Sequence, residues 1–258
     1  MMDRRIGAQL YTVRKEMQTM EDFEASMKKV KEIGYQTVQI SGTPLPAKEM
    51  RKVLDDLGLQ VMLSHRAFTD FKSDLGEIMD YNAALGCDSC CIGMAPVDNL
   101  KTLDGVKTFI EEMNGIADRL YENGFVFGYH NHCCEFAKHE GETIMDRFLR
   151  ETDPKKVRFV VDTFWVQAGG LDPAKFIRSI GERAMFIHFK DYRVPTSDLF
   201  AREFAEIGSG NLNWDEIIEA CDAAGARCAL VEQDDCYGRD PFESFKMSYE
   251  FLKGKGFN

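Results

Sequence analysis

The chain has 258 residues, 44% hydrophobic and 29% charged, with a formal net charge of −11. Those proportions are ordinary for a soluble globular protein and exclude collagen-like, low-complexity and disordered chains, while the length admits one large domain or two small ones. A chain this acidic repels phosphate backbones, whose binding rests on Lys and Arg, so nucleic acid is not an expected partner.

The opening residues MMDRRIGAQL lack the apolar run of about 7–15 residues that marks a signal peptide, and no stretch reaches the ~18 apolar residues of a membrane span. A cytoplasmic protein without a membrane partner is expected. Strands are predicted at Ile6–Val13, Gln36–Ser41, Gln60–His65, Ser89–Met94, Phe125–His132, Val157–Asp162, Ala184–Lys190 and Arg227–Glu232. Helices are predicted between and after them, at Met20–Ile33, Lys48–Leu57, Phe71–Leu85, Leu100–Asn123, Glu142–Glu151, Pro173–Ile180, Trp214–Ala224 and Pro241–Leu252. Six of the junctions repeat one pattern, an amphipathic helix, a glycine and a short apolar strand, as in KEIGYQTVQI and DAAGARCALV. Glycine suits the left-handed residue that ends a helix.

Strands apolar on both faces suit a covered parallel sheet, and eight strand-helix units filling residues 1–258 predict a single α/β domain, a closed (β/α)8 TIM barrel. An open doubly wound sheet would carry a GxGxxG turn after its first strand, but Tyr11-Thr12-Val13-Arg14 stands there, so no nucleotide cofactor is expected. No Pro/Gly/Ser-rich linker divides the chain. Cys90, Cys91, Cys133, Cys134 and Cys228 lie in apolar, strand-like runs and read as reduced core thiols. Cys87-Asp88-Ser89-Cys90 is the single C-x-x-C pair, too few for an all-cysteine zinc site.

Active sites of such barrels lie at the carboxyl ends of the strands. The predicted strands end on Gln9 and Tyr11, Ser41, His65, Met94, His130 and His132, Asp162, His188 and Lys190, and Glu232 and Asp234. Of five histidines, four fall there, and His139 alone lies elsewhere. Alternation turns Gly128, His130 and His132 inward together, then Phe186, His188 and Lys190, then Cys228, Leu230 and Glu232. An imidazole and two carboxylates converging there call for a cation, and mixed His and carboxylate donors suit Mn, Zn, Co or Fe better than Ca. Each residue also has a plainer role: Asp162 as a helix N-cap, His188 as a satisfied core histidine, and Glu232 in a solvated acidic loop.

These residues make the chain similar to the xylose isomerase-like TIM barrels, in the branch of sugar phosphate isomerases/epimerases that includes ketose 3-epimerases and inosose dehydratases. The resemblance runs from IGAQLYTVR through YHNH, VVDTFW, FIHFKD and GSGNLNW to LVEQD. It implies a divalent metal, often Mn, with Zn, Co, Mg or Fe as alternatives, held by Glu, Asp, His and Glu from the fifth to eighth strands. Asp162, His188 and Glu232 match the last three by motif. At the first, GYHNHCCEF offers Tyr129 or His130, followed by His132 and Glu135, so His130 or His132 takes the place of the Glu, or water fills it.

The implied function is metal-dependent isomerisation or epimerisation of a keto sugar or cyclitol by proton abstraction next to its carbonyl through an enediolate. A dehydratase or lyase acting on a keto sugar, keto-glycoside or inosose is the alternative. Glu232 is the expected base, with Glu135 or His132 as the second acid/base group. Lys190 donates to a substrate oxygen or pairs with Asp191 or Glu232. Gln9, Tyr11 and His65 line the opposite wall, and Trp165 stacks on the sugar or closes the pocket. Gly208-Ser209-Gly210 is a plain turn or an anion cradle. Endonuclease IV-like phosphodiester cleavage, which needs many more histidines, and a non-catalytic sugar-binding barrel complete the range. A homo-oligomer is an open expectation.

Overall fold

The structure is a computed structural model describing residues 1–258. Eight parallel strands close into a barrel: β1 (Ile6–Gln9), β2 (Thr37–Ile40), β3 (Gln60–Arg66), β4 (Ser89–Ile92), β5 (Val126–His130), β6 (Val157–Asp162), β7 (Ala184–Phe189) and β8 (Cys228–Val231). They stand in sequence order, and β8 returns to β1 through Ile6↔Ala229, Gly7↔Leu230 and Ala8↔Val231. The main outer helices are α1 (Met20–Ile33), α2 (Ala47–Leu57), α3 (Leu75–Leu85), α4 (Leu103–Glu122), α5 (Ile144–Glu151), α6 (Pro173–Ile180), α7 (Trp214–Ala224) and α8 (Pro241–Gly254). The single (β/α)8 barrel expected from the strand-helix count is therefore present.

Local chemistry starts and stops these helices. Thr19 caps α1 by accepting from the Asp22 N–H, and Thr143 and Asp146 form a reciprocal capping box on α5. Gly58 and Gly225, at φ 63° and 69°, end α2 and α7 in the left-handed conformation. The apolar residues form two layers. Outside the sheet, Tyr129 packs edge to face against Phe109, Phe148 and Phe159 between strand and helix. Inside it, Cys91, Val160, Phe186, Cys228 and Leu230 plug the barrel beneath its mouth. Burying one such large apolar side chain contributes about 1.5–3 kcal/mol.

Several predicted boundaries shift. The first strand stops at Gln9, not Val13, because the Gln9 side chain accepts from the Tyr11 N–H and starts a 3-10 turn over Leu10–Glu16. The fifth strand stops at His130, two residues before His132. The helix predicted at Phe71–Leu85 is two, Phe68–Ser73 and α3, because Asp74 is extended (φ −151°) and caps the second. Likewise Thr102 caps α4 and separates it from Val97–Leu100. Glu142–Thr143 pairs antiparallel with Lys138–His139 instead of opening α5. A second hairpin, Asp191–Arg193 with Glu203–Ala205, and a short helix, Thr163–Ala168, were not foreseen.

The cysteines also divide. All eight are free thiols, but Cys133 is exposed and Cys134 half-buried, because both lie beyond the end of β5. Burial pushes the thiols of Cys87, Cys134 and Cys228 up to about 11, about 12 and about 12. The thiolate is the reactive form, so a disulfide reagent should titrate one fast thiol per folded chain. Cys133→Ser should abolish that fast phase. Several thiols reacting at the same fast rate would contradict this arrangement.

Candidate active site

Four side chains meet at the carboxyl ends of β5 to β8: His130, Asp162, His188 and Glu232, all buried, with one donor atom of each within 4.8 Å of the others. In each, one polar atom is anchored by the protein and the other is turned to the common centre. His130 Nδ1 lies 2.9 Å from the Gly93 carbonyl, which leaves Nε2 facing Asp162 Oδ2 at 3.4 Å. Asp162 Oδ1 accepts from the Trp165 N–H at 3.0 Å as the N-cap of Thr163–Ala168, and its Oδ2 is turned to the site. The capping role and the inward-facing role thus belong to the two oxygens of one carboxylate. His188 Nε2 is 2.8 Å from Gln39 Oε1, and Glu232 Oε1 accepts from Gln9 Nε2 at 2.6 Å. His188 Nδ1 and Glu232 Oε2 then lie 2.9 Å apart, yet neither makes a hydrogen bond of sound geometry.

Lys190 completes the cluster. Its ammonium is fully buried, 2.9 Å from Asp162 Oδ2, 2.9 Å from Glu232 Oε2 and 3.1 Å from Asp234 Oδ1. Asp191, its sequence neighbour and the other pairing partner considered, faces away. Burial would raise the carboxyls of Asp162 and Glu232, but Lys190 and the neighbouring imidazoles outweigh it and hold both below their ordinary range. The same carboxylates hold the ammonium well above its ordinary value although burial opposes this. Asp234, where burial outweighs the help of Lys190, is raised to about 6. Burial lowers His65, His188 and His132, the last to about 3, whereas Asp162 reverses the effect of burial at His130 and raises it.

Above the cluster opens a cavity of about 490 Å³. It is lined by Gln9, Tyr11, His65, His130, His132, Lys190 and Glu232 among the expected residues. Arg14, Ser41, Arg66 and Asp234 line it as well. Arg14 lies over the Tyr11 ring, 4.0 Å from its centroid, and donates to the carbonyls of Tyr11 and Asp234.

Three expectations are corrected. Glu135 is not in the cavity: it is fully buried behind it, accepting from the Tyr129 hydroxyl at 2.5 Å and from the His132 N–H at 2.8 Å. Tyr129 points outward from β5 into the aromatic layer, so a carboxylate bonded to it is carried outward too. Trp165 does not line the cavity but packs behind His132, with ring centroids 5.3 Å apart, because it is the third residue of the helix that Asp162 caps. The Gly208-Ser209-Gly210 turn does cradle an anion, but an internal one: Asp191 accepts from the N–H groups of Gly208, Gly210 and Leu212 and from the Trp214 indole at 2.7 Å. A Cβ on Gly210 would collide with that carboxylate.

The donor set fits a divalent metal. Two imidazole nitrogens and two carboxylate oxygens, each held from behind by one bond, are the mixed donors that Mn, Zn, Co or Fe accept. His188 Nδ1 is a buried polar atom without a hydrogen bond, which is costly unless something satisfies it, and Glu232 Oε2 has no hydrogen bond beyond its ion pair with Lys190. Sequence reasoning missed Gln39 and gave Asp234 no role. Asp234, two residues past Glu232 on the same face, was at least visible as a strand-end acid.

A family model described as a xylose isomerase-like TIM barrel matches residues 27–254. An inosose dehydratase from Geobacillus thermodenitrificans (strain NG80-2) is 28% identical over 159 residues, 56% of this chain and 52% of that protein. Another from Lacticaseibacillus casei is 29% identical over 152 residues, 53% of this chain and 50% of that one. The chain thus spans about half the length of the curated relatives it matches. Among solved structures, a sugar phosphate isomerase/epimerase from Parabacteroides distasonis ATCC 8503 superimposes with a TM-score of 0.79 at 24% identity, covering 96% of this chain and 93% of that one. A probable 3-DHS dehydratase from Bacillus anthracis gives 0.72 at 11% identity, covering 96% and 98%. No helix is long and apolar enough to cross a membrane.

Proposed function

This chain belongs to the xylose isomerase-like TIM barrel family, and from that premise we propose that it is a divalent-metal enzyme that removes the proton next to the carbonyl of a keto sugar or cyclitol, as an isomerase or epimerase. The observation that carries this reading is the buried convergence of His130, Asp162, His188 and Glu232, with one donor atom of each turned toward one point beneath a polar cavity and two of those atoms, His188 Nδ1 and Glu232 Oε2, without a hydrogen bond. These four residues would hold the metal, whose chemistry is to polarise the carbonyl and stabilise the enediolate.

The remaining work falls to the chain. Glu232, kept ionised beside Lys190, accepts the proton on its carboxylate, which Gln9 orients through Oε1. Lys190, always charged, donates to the oxygen on which negative charge develops. His132, neutral because burial lowers it to about 3, presents a ring nitrogen to the substrate's hydroxyls, and Trp165 holds that ring from behind. Tyr11 and His65 bind hydroxyls on the opposite wall.

A second reading, a dehydratase, is favoured by one observation: with Glu135 turned out of the cavity, no second carboxylate faces Glu232 across the substrate, so the two sides are chemically unlike. Unlike groups suit taking a proton on one side and assisting the departure of a hydroxyl on the other. Proton NMR of keto sugars and inososes incubated with the Mn(II)-loaded protein in deuterated water tests both. Exchange next to the carbonyl, abolished by EDTA, is expected. A new epimer or aldose then supports the first reading, and loss of an oxygen substituent the second. Neither exchange nor elimination on any such substrate would refute the proposal.

A further inference from the structure

We propose that Gln39 is a positioning residue that fixes the tautomer and ring orientation of His188, so that Nδ1 is the nitrogen offered to the metal. This rests on the metal reading above for its purpose, but not for its geometry. Gln39 lies on β2 beside Gln9 and is fully buried. It is not among the residues that line the cavity. Closing the barrel brings it to His188 from the far side of β1 and β8, with Oε1 2.8 Å from Nε2.

An amide oxygen only accepts, so Nε2 carries the proton and the lone pair of the neutral ring sits on Nδ1. That nitrogen is the one 2.9 Å from Glu232 Oε2 and 4.0 Å from Asp162 Oδ2. The opposite arrangement, with the amide N–H donating to Nε2, would place the proton on Nδ1 and block the site. It would leave an Nδ1–H buried 2.9 Å from Glu232 Oε2, where neither atom makes a hydrogen bond of sound geometry. Gln9 acts on Glu232 Oε1 in the same manner, so neighbouring glutamines of β1 and β2 each restrain one member of the cluster.

The test is a long-range proton–nitrogen NMR correlation on metal-free protein labelled with nitrogen-15 at histidine, at mildly alkaline pH, with His188→Gln used to assign the ring. The wild type should show His188 protonated on Nε2. Gln39→Met, of similar volume without an acceptor, should lose that single tautomer, and its affinity for Mn(II) or Zn(II) by calorimetry should fall about 10–100-fold. Gln39→Glu, which keeps an oxygen acceptor, should retain the Nε2–H tautomer, and it carries the comparison if the Met variant does not fold. A wild-type ring protonated on Nδ1, or an unchanged tautomer in Gln39→Met, overturns the proposal. A wild type with the Nε2–H tautomer that binds no divalent metal would instead refute the metal reading and leave the restraint standing.

Discussion

Glu232→Gln is expected to lower kcat/KM by about 10²–10⁴, the range for loss of a positioned acid or base. Two features of the site make the effect large. Glu232 supplies a carboxylate oxygen at the cavity floor that has no hydrogen bond, so its lone pair is free to accept a proton. The substitution also replaces an acceptor by a donor: if the new amide oxygen keeps the Gln9 bond, its NH₂ group faces the Lys190 ammonium, donor against donor. Isotope exchange next to the substrate carbonyl in deuterated water is the direct measurement, and metal content determined in parallel separates loss of a base from loss of a ligand. Undiminished exchange in this variant would transfer the base role to His132.

Lys190→Met is expected to destabilise the metal-free protein by about 3–5 kcal/mol, the cost of stranding buried charges by removing their partner. The carboxylates of Asp162, Glu232 and Asp234 share that one ammonium at 2.9–3.1 Å. Without it, their mutual repulsion in a medium of low polarisability is relieved only by taking up protons. The melting temperature should fall on the order of 10 °C. A divalent cation supplies the same counter-charge, so saturating Mn(II) should restore most of the loss, and the variant should gain more from metal than the wild type does. Equal melting temperatures with and without metal in both proteins would refute this view of the cluster.

The barrel was legible because its signal is periodic and local: at six junctions a glycine follows an amphipathic helix, then comes a short run apolar on both faces. The cluster was legible for a related reason. In a parallel barrel every strand ends on the same side, so His130, Asp162, His188 and Glu232 could be placed together without knowing any contact. Gln39 escaped because TVQI reads as an ordinary strand, and its role exists only once closure sets it against a residue 149 positions away. Glu135 was misplaced because position alone put it near the mouth, whereas its direction depends on a bond to Tyr129 that the sequence does not announce. The hairpin of Asp191–Arg193 with Glu203–Ala205 went unseen because strands of three residues are too short for alternation to register.

Along Phe186–Tyr192, FIHFKDY, the two charged neighbours serve opposite compartments. Lys190 carries its charge into the cavity floor, and Asp191 carries its own into the glycine cradle of the following loop. A slip of this segment by a single residue would misplace one of them, whichever way it ran. In one direction a carboxylate would join three others beneath the cavity, and in the other an ammonium would enter a ring of N–H groups that can only donate. Either misalignment is thereby penalised, at one site or the other. The adjacency of Lys and Asp thus gives the seventh strand an electrostatic check on its alignment, independent of the apolar packing that first draws it into the barrel.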